Sequence, residues 1–160
     1  MSEAYAFRFL PEICIHCSAC ETACKIWNGT EGGVKLRRFV SGFSGTYPNP
    51  APVSLSVSCL HCDEPACAAV CPVGAISKRE DGIVRTDTAL CVGCRACLAA
   101  CPVAAPQFGA DGLMRKCDLC GAGLPACVSA CPTQALTLER VSRDEKLRLD
   151  AEAAARFQTF

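Results

Sequence analysis

Sixteen of the 160 residues are cysteine, and every one falls in one of four groups. The groups are Cys14, Cys17, Cys20 and Cys24 (CIHCSACETAC); Cys59, Cys62, Cys67 and Cys71 (CLHCDEPACAAVCP); Cys91, Cys94, Cys97 and Cys101 (CVGCRACLAACP); and Cys117, Cys120, Cys127 and Cys131 (CDLCGAGLPACVSACP). The third is a plain C-x2-C-x2-C-x3-C-P run. The first has the same spacing but is followed by Lys25, and the second and fourth widen the middle gap. A cysteine density of one in ten points to a disulfide scaffold or a metal-rich protein. It constrains the fold more than any propensity does, because the loops must bring thiols together.

The compartment separates those two classes. MSEAYAFRFLPEIC has no basic region followed by an unbroken apolar stretch, and Arg37-Arg38 lies too far inside to be a twin-arginine leader. A reducing, cytoplasmic location is therefore expected, which disfavours disulfides. Charged residues and prolines interrupt every hydrophobic segment before the ~20 residues needed to cross a bilayer, so no direct membrane span is expected. The formal charge is zero, with 16 basic and 16 acidic residues. No basic tract interleaved with aromatics suggests nucleic acid.

Structural zinc is the first rival for the thiols. It uses paired CxxC elements, whereas each group here adds a third cysteine and then a fourth after three more residues. A CxxCxxC triplet followed by CP is the signature of a [4Fe-4S] ligand loop, whose last cysteine ligates the other cluster in two-cluster ferredoxins. Using all sixteen cysteines, the four groups predict four [4Fe-4S] clusters. Three thiols on a tight loop can face one cube, while the short helix beginning at the third carries the fourth away to a neighbour. Proline after Cys71, Cys101 and Cys131 then ends that helix.

Each oxidised cubane carries about +2 on its core against four thiolates, so four would make the chain roughly eight units more negative. Lys25, Lys78, Arg79, Arg95, Arg115 and Lys116 lie close to cysteines in sequence. They are candidates to offset that charge, against an ordinary role on a solvated surface. Gly74, Gly93, Gly121 and the neighbouring alanines let backbone amides approach sulfur, or simply fit a crowded space. His16 and His61 precede the second cysteine of their groups, but four sulfurs per group leave no place for a histidine ligand, so a supporting or solvated role is expected. The absence of a Gly-rich phosphate loop, a Ser-His-Asp arrangement and a nucleotide fingerprint predicts no substrate chemistry for this chain alone, hence no enzyme by itself.

PACAAVCPVGAI (65–76) and PACVSACPTQAL (125–136) match in residue type, so one module is used twice. Two β-prone runs flank Asp81-Gly82 in 75–87 and Asp111-Gly112 in 105–117, each predicting a hairpin with a two-residue turn. SACETACK and RACLAAC predict brief helices that place two sulfurs on one face. YAFRFL is expected to pair with ALTLERV (135–141), joining the ends of the cysteine-bearing unit. In 25–58, VKLRRFV and VSLSVS read as edge strands. Ser142 and Glu145 stand in capping-box spacing ahead of a C-terminal helix whose apolar stripe, Leu147, Ala151 and Ala154, is weak, predicting a mostly solvated, loosely docked helix rather than a docking element.

The order of the groups, with CxHCxxPAC, the AIxKREDGIV hairpin, CxGCRxC and CPxxAPQ, resembles the four-cluster, ferredoxin-like iron-sulfur subunits of molybdenum and tungsten oxidoreductases, typified by the electron-transfer subunit of dimethyl sulfoxide reductase. The likeness runs from about Phe7 to Val141. It implies an α+β fold of two pseudo-repeated ferredoxin-like modules, one nested in the other: an outer module of 1–30 plus 105–141, an inner module of 55–104, a connecting insert of 31–54 and a tail of 142–160. It also implies the ligand sets. Cluster 1 would use Cys14, Cys17, Cys20 and Cys131, and cluster 2 Cys24, Cys117, Cys120 and Cys127. Cluster 3 would use Cys59, Cys62, Cys67 and Cys101, and cluster 4 Cys71, Cys91, Cys94 and Cys97. Some relatives carry tryptophan in place of the cysteine corresponding to Cys94 and hold a three-iron cluster; Cys94 is present here.

The implied function is electron transfer between a molybdenum- or tungsten-pterin catalytic subunit and another redox partner. The chain is short for the family, which favours a tungsten aldehyde oxidoreductase of anaerobic metabolism, whose relatives in some cases add an NAD-linked flavoprotein subunit. A respiratory reductase of the dimethyl sulfoxide reductase type and a freestanding polyferredoxin are the alternatives. Self-association end to end rests only on the symmetric layout. Leaderless family members can also be exported on a partner's signal.

Overall fold

The computed structural model describes residues 3–160. Among these residues four two-stranded antiparallel sheets and five α-helices are strung between the cysteine loops. β1 (Ala4–Phe9) pairs with the last strand, β8 (Leu136–Val141), in the register Ala4↔Val141 to Phe9↔Leu136, as the alternating YAFRFL pattern predicts. The pairing closes the cysteine-bearing stretch on itself. α1 (Ala19–Trp27) buries Cys20 and Cys24, one turn apart on the same face.

The insert forms one long hairpin. β2 (Arg37–Ser44) pairs with β3 (Ala51–Ser58) along eight residues. The two strands take each other as partners, while their far end carries Phe43 and Tyr47 into solvent. The near end is buried from Ser54 to Ser58, so it covers the core rather than standing apart.

α2 (Ala66–Ala69), β4 (Ile76–Lys78), β5 (Val84–Thr86), α3 (Ala96–Ala99), β6 (Gln107–Phe108), β7 (Met114–Arg115) and α4 (Ala126–Ser129) follow in order. The β4–β5 and β6–β7 hairpins occur where expected, but their turns differ from the two-residue type. Gly82 N–H donates to Arg79 C=O, and Arg79 N–H to Ile83 C=O. Gly112 with Gly109, and Gly109 with Leu113, repeat this pattern. Only the glycine of each Asp-Gly pair has positive φ, +82° at Gly82 and +74° at Gly112. These are three-residue loops ending in a left-handed glycine, the turn-plus-bulge alternative to a two-residue turn. Asp81 and Asp111 accept from the N–H two residues on, at 3.1 and 3.0 Å, which favours the longer loop.

The C-terminal helix, α5 (Arg143–Gln158), begins at Ser142, whose hydroxyl accepts from Glu145 N–H at 3.3 Å. It is docked more firmly than the mostly solvated, loosely docked helix expected. Leu149 is buried against Ala6 and Val141, and Phe157 packs on the central core. The expected stripe residue Leu147 is half-exposed, whereas Lys146 is only 2 % exposed. Its ammonium donates to Leu60 C=O at 2.6 Å and pairs with Asp150. A docking face built partly from a buried ion pair escapes a search for apolar spacing.

Candidate iron-sulfur centres

Each cysteine loop is wound by residues in the left-handed region. The residue before the second cysteine adopts it in all four groups: His16 (φ +57°), His61 (+51°), Gly93 (+69°) and Leu119 (+59°). So does the third residue after the last cysteine in the three CP groups: Gly74 (+63°), Ala104 (+45°) and Gln134 (+55°). Non-glycine residues there carry a strain of about 1 kcal/mol or more each. Alternating right- and left-handed residues turn successive N–H groups inward, forming a concavity suited to negative charge. Accordingly Ala75 N–H donates to Cys71 Sγ and Ala105 N–H to Cys101 Sγ, both at 3.3 Å. Burial pushes Cys71 and Cys131 upward, but amides outweigh it, those of Val73, Ala75 and Ile76 at Cys71 and that of Leu136 foremost at Cys131, so both thiols lie below their ordinary range.

The loops bring together thiols from different groups. Cys59, Cys62 and Cys67 line one cavity with Cys101, the last cysteine of the next group. Cys91, Cys94 and Cys97 line another with Cys71, the last cysteine of the preceding group. Cys120 and Cys127 are close enough to raise the pKa of Cys24, and Cys127 also acts on Cys120, Cys117 and Cys20. Cys131 packs beside Cys20, Cys24 and Cys127. Cys14 and Cys17, half-buried and exposed, stand on the loop before α1 and join this group through the backbone leading to Cys20.

Three apolar cores link these groups in sequence. Cys20, Cys24 and Cys127 share one with Leu36 and Leu136. Cys59 and Cys117 share the central one with Ile83 and Leu55, against which Cys101 packs. Cys97 lies in the third, flanked by Cys67, Cys71 and Cys91. Among the described residues no three His, Cys, Asp or Glu side chains gather on a point that one metal ion could occupy; the thiols are spread as cavity linings.

The buried charges are cationic. Arg37 is 1 % exposed and, among the described residues, pairs with no carboxylate. Its guanidinium donates to Ser56 Oγ (3.1 Å) and Ser58 Oγ (2.8 Å) and lies 4.2 Å from the Phe7 ring centre, while Nε has no partner. Ser56 Oγ in turn meets Cys20 Sγ at 3.4 Å. Lys116, 7 % exposed, donates to Cys59 Sγ at 3.6 Å. Isolated charge in an apolar interior is strongly unfavourable. With the thiols protonated these cations lack counterions, and with thiolate-bound clusters they have them, so the residues fit the group they are expected to hold.

Of the six cations singled out by sequence proximity, only Lys116 is buried against sulfur. Lys25 binds Glu31 and Val34 carbonyls; Lys78, Arg79 and Arg115 pair with Asp63, Asp81 and Asp111; Arg95 lies over Phe108. Arg37 and Lys146 were missed because their cysteine neighbours are distant in sequence. The loop glycines divide too. A Cβ on Gly93 would stand 2.7 Å from Gly112 C=O, so this glycine permits the loop to close on the β6–β7 turn, whereas Gly74 and Gly121 meet nothing and are needed for their positive φ.

Burial pushes Cys24 and Cys62 up to about 11 and Cys117 to about 12. When metal-free these three thiols hold their protons, and iron binding must displace them. Burial, with Lys116, Lys146 and Arg37, lowers His61 to about 2, keeping it neutral. Its Nδ1 accepts from Val84 N–H at 3.1 Å. His61 thus braces the loop from behind, in the supporting role expected. Among the described residues no helix is long and apolar enough to cross a membrane.

Cysteine-lined cavities beneath amide-rich loops, set between short hairpins and helices, define an iron-sulfur protein of the ferredoxin type, and it carries multiple [4Fe-4S] clusters. Residues 53–141 match the 4Fe-4S dicluster domain, and the protein belongs to that family; residues 11–32 match a further 4Fe-4S binding domain. The probable anaerobic dimethyl sulfoxide reductase chain YnfG of Escherichia coli is 41 % identical over 103 residues, covering 59 % of this chain and 50 % of that one. A sulfite dehydrogenase subunit of Allochromatium vinosum is 39 % identical over 99 residues, 52 % of this chain and 41 % of its own. A selenate reductase subunit of Mesobacillus selenatarsenatis is 42 % identical over 82 residues, 51 % of this chain and 28 % of its own. The matched stretch spans half or less of each relative.

Proposed function

We propose that the chain is an electron-transfer subunit holding four [4Fe-4S] clusters in a row: Cys14, Cys17, Cys20 and Cys131; then Cys24, Cys117, Cys120 and Cys127; then Cys59, Cys62, Cys67 and Cys101; then Cys71, Cys91, Cys94 and Cys97. The observation that carries this reading is the pair of cavities in which three thiols of one group meet the fourth of another. Such sharing fixes neighbouring sites side by side, as a relay requires. α1 packs on α4 and α2 on α3, which supports an inner module of 55–104 nested in an outer module of 1–30 plus 105–141, joined by the insert of 31–54 and followed by the tail of 142–160.

When bound, each cluster takes up and releases one electron at a potential set by charge, hydrogen bonds to sulfur and solvent access. This chain's residues supply all three controls. Thiolates hold the iron, the left-handed loop residues aim amides at sulfur, and Arg37 and Lys116 place positive charge inside. The apolar cores exclude water between successive sets. Cys17 and Cys94, the two exposed cysteines, mark the ends where partners would approach.

The catalytic partner would be a molybdenum- or tungsten-pterin subunit. The relatives' names favour an enzyme of the dimethyl sulfoxide reductase type over a tungsten aldehyde oxidoreductase with an NAD-linked flavoprotein. The proposed location is cytoplasmic. Anaerobic reconstitution followed by iron and acid-labile sulfide analysis tests the reading: about sixteen of each per chain are expected, and about eight, or zinc in their place, would overturn it. Isolation of the native complex then identifies the catalytic subunit.

A further inference from the structure

We propose that Lys116 is a potential-setting residue of the third cluster, the one assigned to Cys59, Cys62, Cys67 and Cys101. The inference rests on that assignment and adds to it a source of control that no motif marks.

Lys116 precedes Cys117, a thiol of the second set, yet its side chain reaches across to the third. The ammonium donates to Cys59 Sγ at 3.6 Å, to Cys117 C=O at 3.0 Å and to Val84 C=O. The side chain lines the same cavity as the four thiols and is 7 % exposed. Among the described residues it has no carboxylate partner. Water screens it little, and among the described residues no carboxylate neutralises it. Reduction adds negative charge to the site, and a buried cation beside a ligand sulfur stabilises that charge more than the oxidised form. The third site is therefore held at a higher potential than its loop alone would give.

The contrast lies at the fourth site. Its nearest cation in sequence, Arg95, is exposed and lies over Phe108, and among the described residues no buried cation lines the cavity of Cys71, Cys91, Cys94 and Cys97. Removing Lys116 should thus act on the interior of the relay and leave its exposed end unchanged.

The test is an EPR-monitored redox titration of the anaerobically reconstituted full chain. In Lys116→Met, which keeps the stem and removes the charge, one cluster is expected to become at least tenfold harder to reduce, a fall of about 59 mV for a one-electron couple, with iron content unchanged. Lys116→Arg should restore the potential. Wild-type potentials in Lys116→Met at full iron content, or an equal fall in Lys116→Arg, would overturn the proposal. If Lys116→Met loses iron, Lys116→Gln is titrated in its place; iron loss from both neutral variants assigns Lys116 a purely structural part and also overturns it. A wild-type chain that fails to bind about sixteen irons defeats the four-cluster reading itself, a result distinct from unaltered potentials in a fully loaded protein.

Discussion

Arg37 is the clearest case of a residue whose meaning changes with what the thiols carry. It is fully buried, hydrogen-bonded only to serines, and connected through Ser56 to Cys20. Removing one partner of a buried charge pair costs about 3–5 kcal/mol, whereas removing a buried charge that lacks a partner can be neutral or stabilising. Arg37→Met should therefore lower the unfolding free energy of the iron-loaded protein by about 3–5 kcal/mol and leave the metal-free chain little changed. Equal losses in both forms would show that Arg37 only packs. Gly93 is a second residue-scale test. Its φ of +69° and the 2.7 Å approach of Gly112 C=O to a built Cβ leave no room for alanine, so Gly93→Ala should destabilise the loaded protein by about 1–3 kcal/mol and speed iron loss to a chelator. The cysteine spacing made the ligand loops legible in sequence. The left-handed backbone at His16, His61, Leu119 and Gln134 was not, because these residue types rarely adopt it and the tertiary arrangement imposes it.

At the scale of elements, the hairpins and helices were legible from turn residues and periodicity, and their details were decided by side-chain hydrogen bonds. Asp111 illustrates this. The Arg115 guanidinium, and after it the Leu113 N–H, hold its carboxyl down from 3.8 to about 2. A depressed carboxylate contributes stability that is complete above its unfolded pKa and lost as pH falls through the folded one. NMR titration should place the Asp111 midpoint near 2 in the wild type and raise it in Arg115→Met toward the ordinary 3.8 without reaching it, since the Leu113 N–H still donates; a midpoint unmoved by the substitution would remove the ion pair from the turn. α5 docks more firmly than its sequence indicates, since it uses Lys146 and Leu149 on a face where an apolar count finds little. Lys146 holds Leu60 C=O in the Cys59–Cys62 loop. Leu149→Ala should cost about 2–4 kcal/mol and make the third site the first to bleach in air, a change that EPR resolves from the others.

Across the whole molecule, one apolar core joins the first and fourth cysteine groups, the central one joins the fourth to the second and a third joins the second to the third, and the exposed sulfurs Cys17 and Cys94 fall in the first and last of the proposed sets. That order was implied by resemblance rather than by spacing, because spacing alone allows each group to be a site of its own. In the structure three thiols of the second group line a cavity with the last of the third, and three of the third line another with the last of the second; the proposed relay rests on that sharing. The most direct test is low-temperature EPR of the fully reduced, reconstituted chain. Paramagnetic clusters held in a row at adjoining sites should give broadened, split spectra from spin–spin interaction, which simplify when a middle set is removed by Cys59→Ser. Four unperturbed, additive signals in the reduced wild type, unchanged apart from intensity in that variant, would contradict the relay.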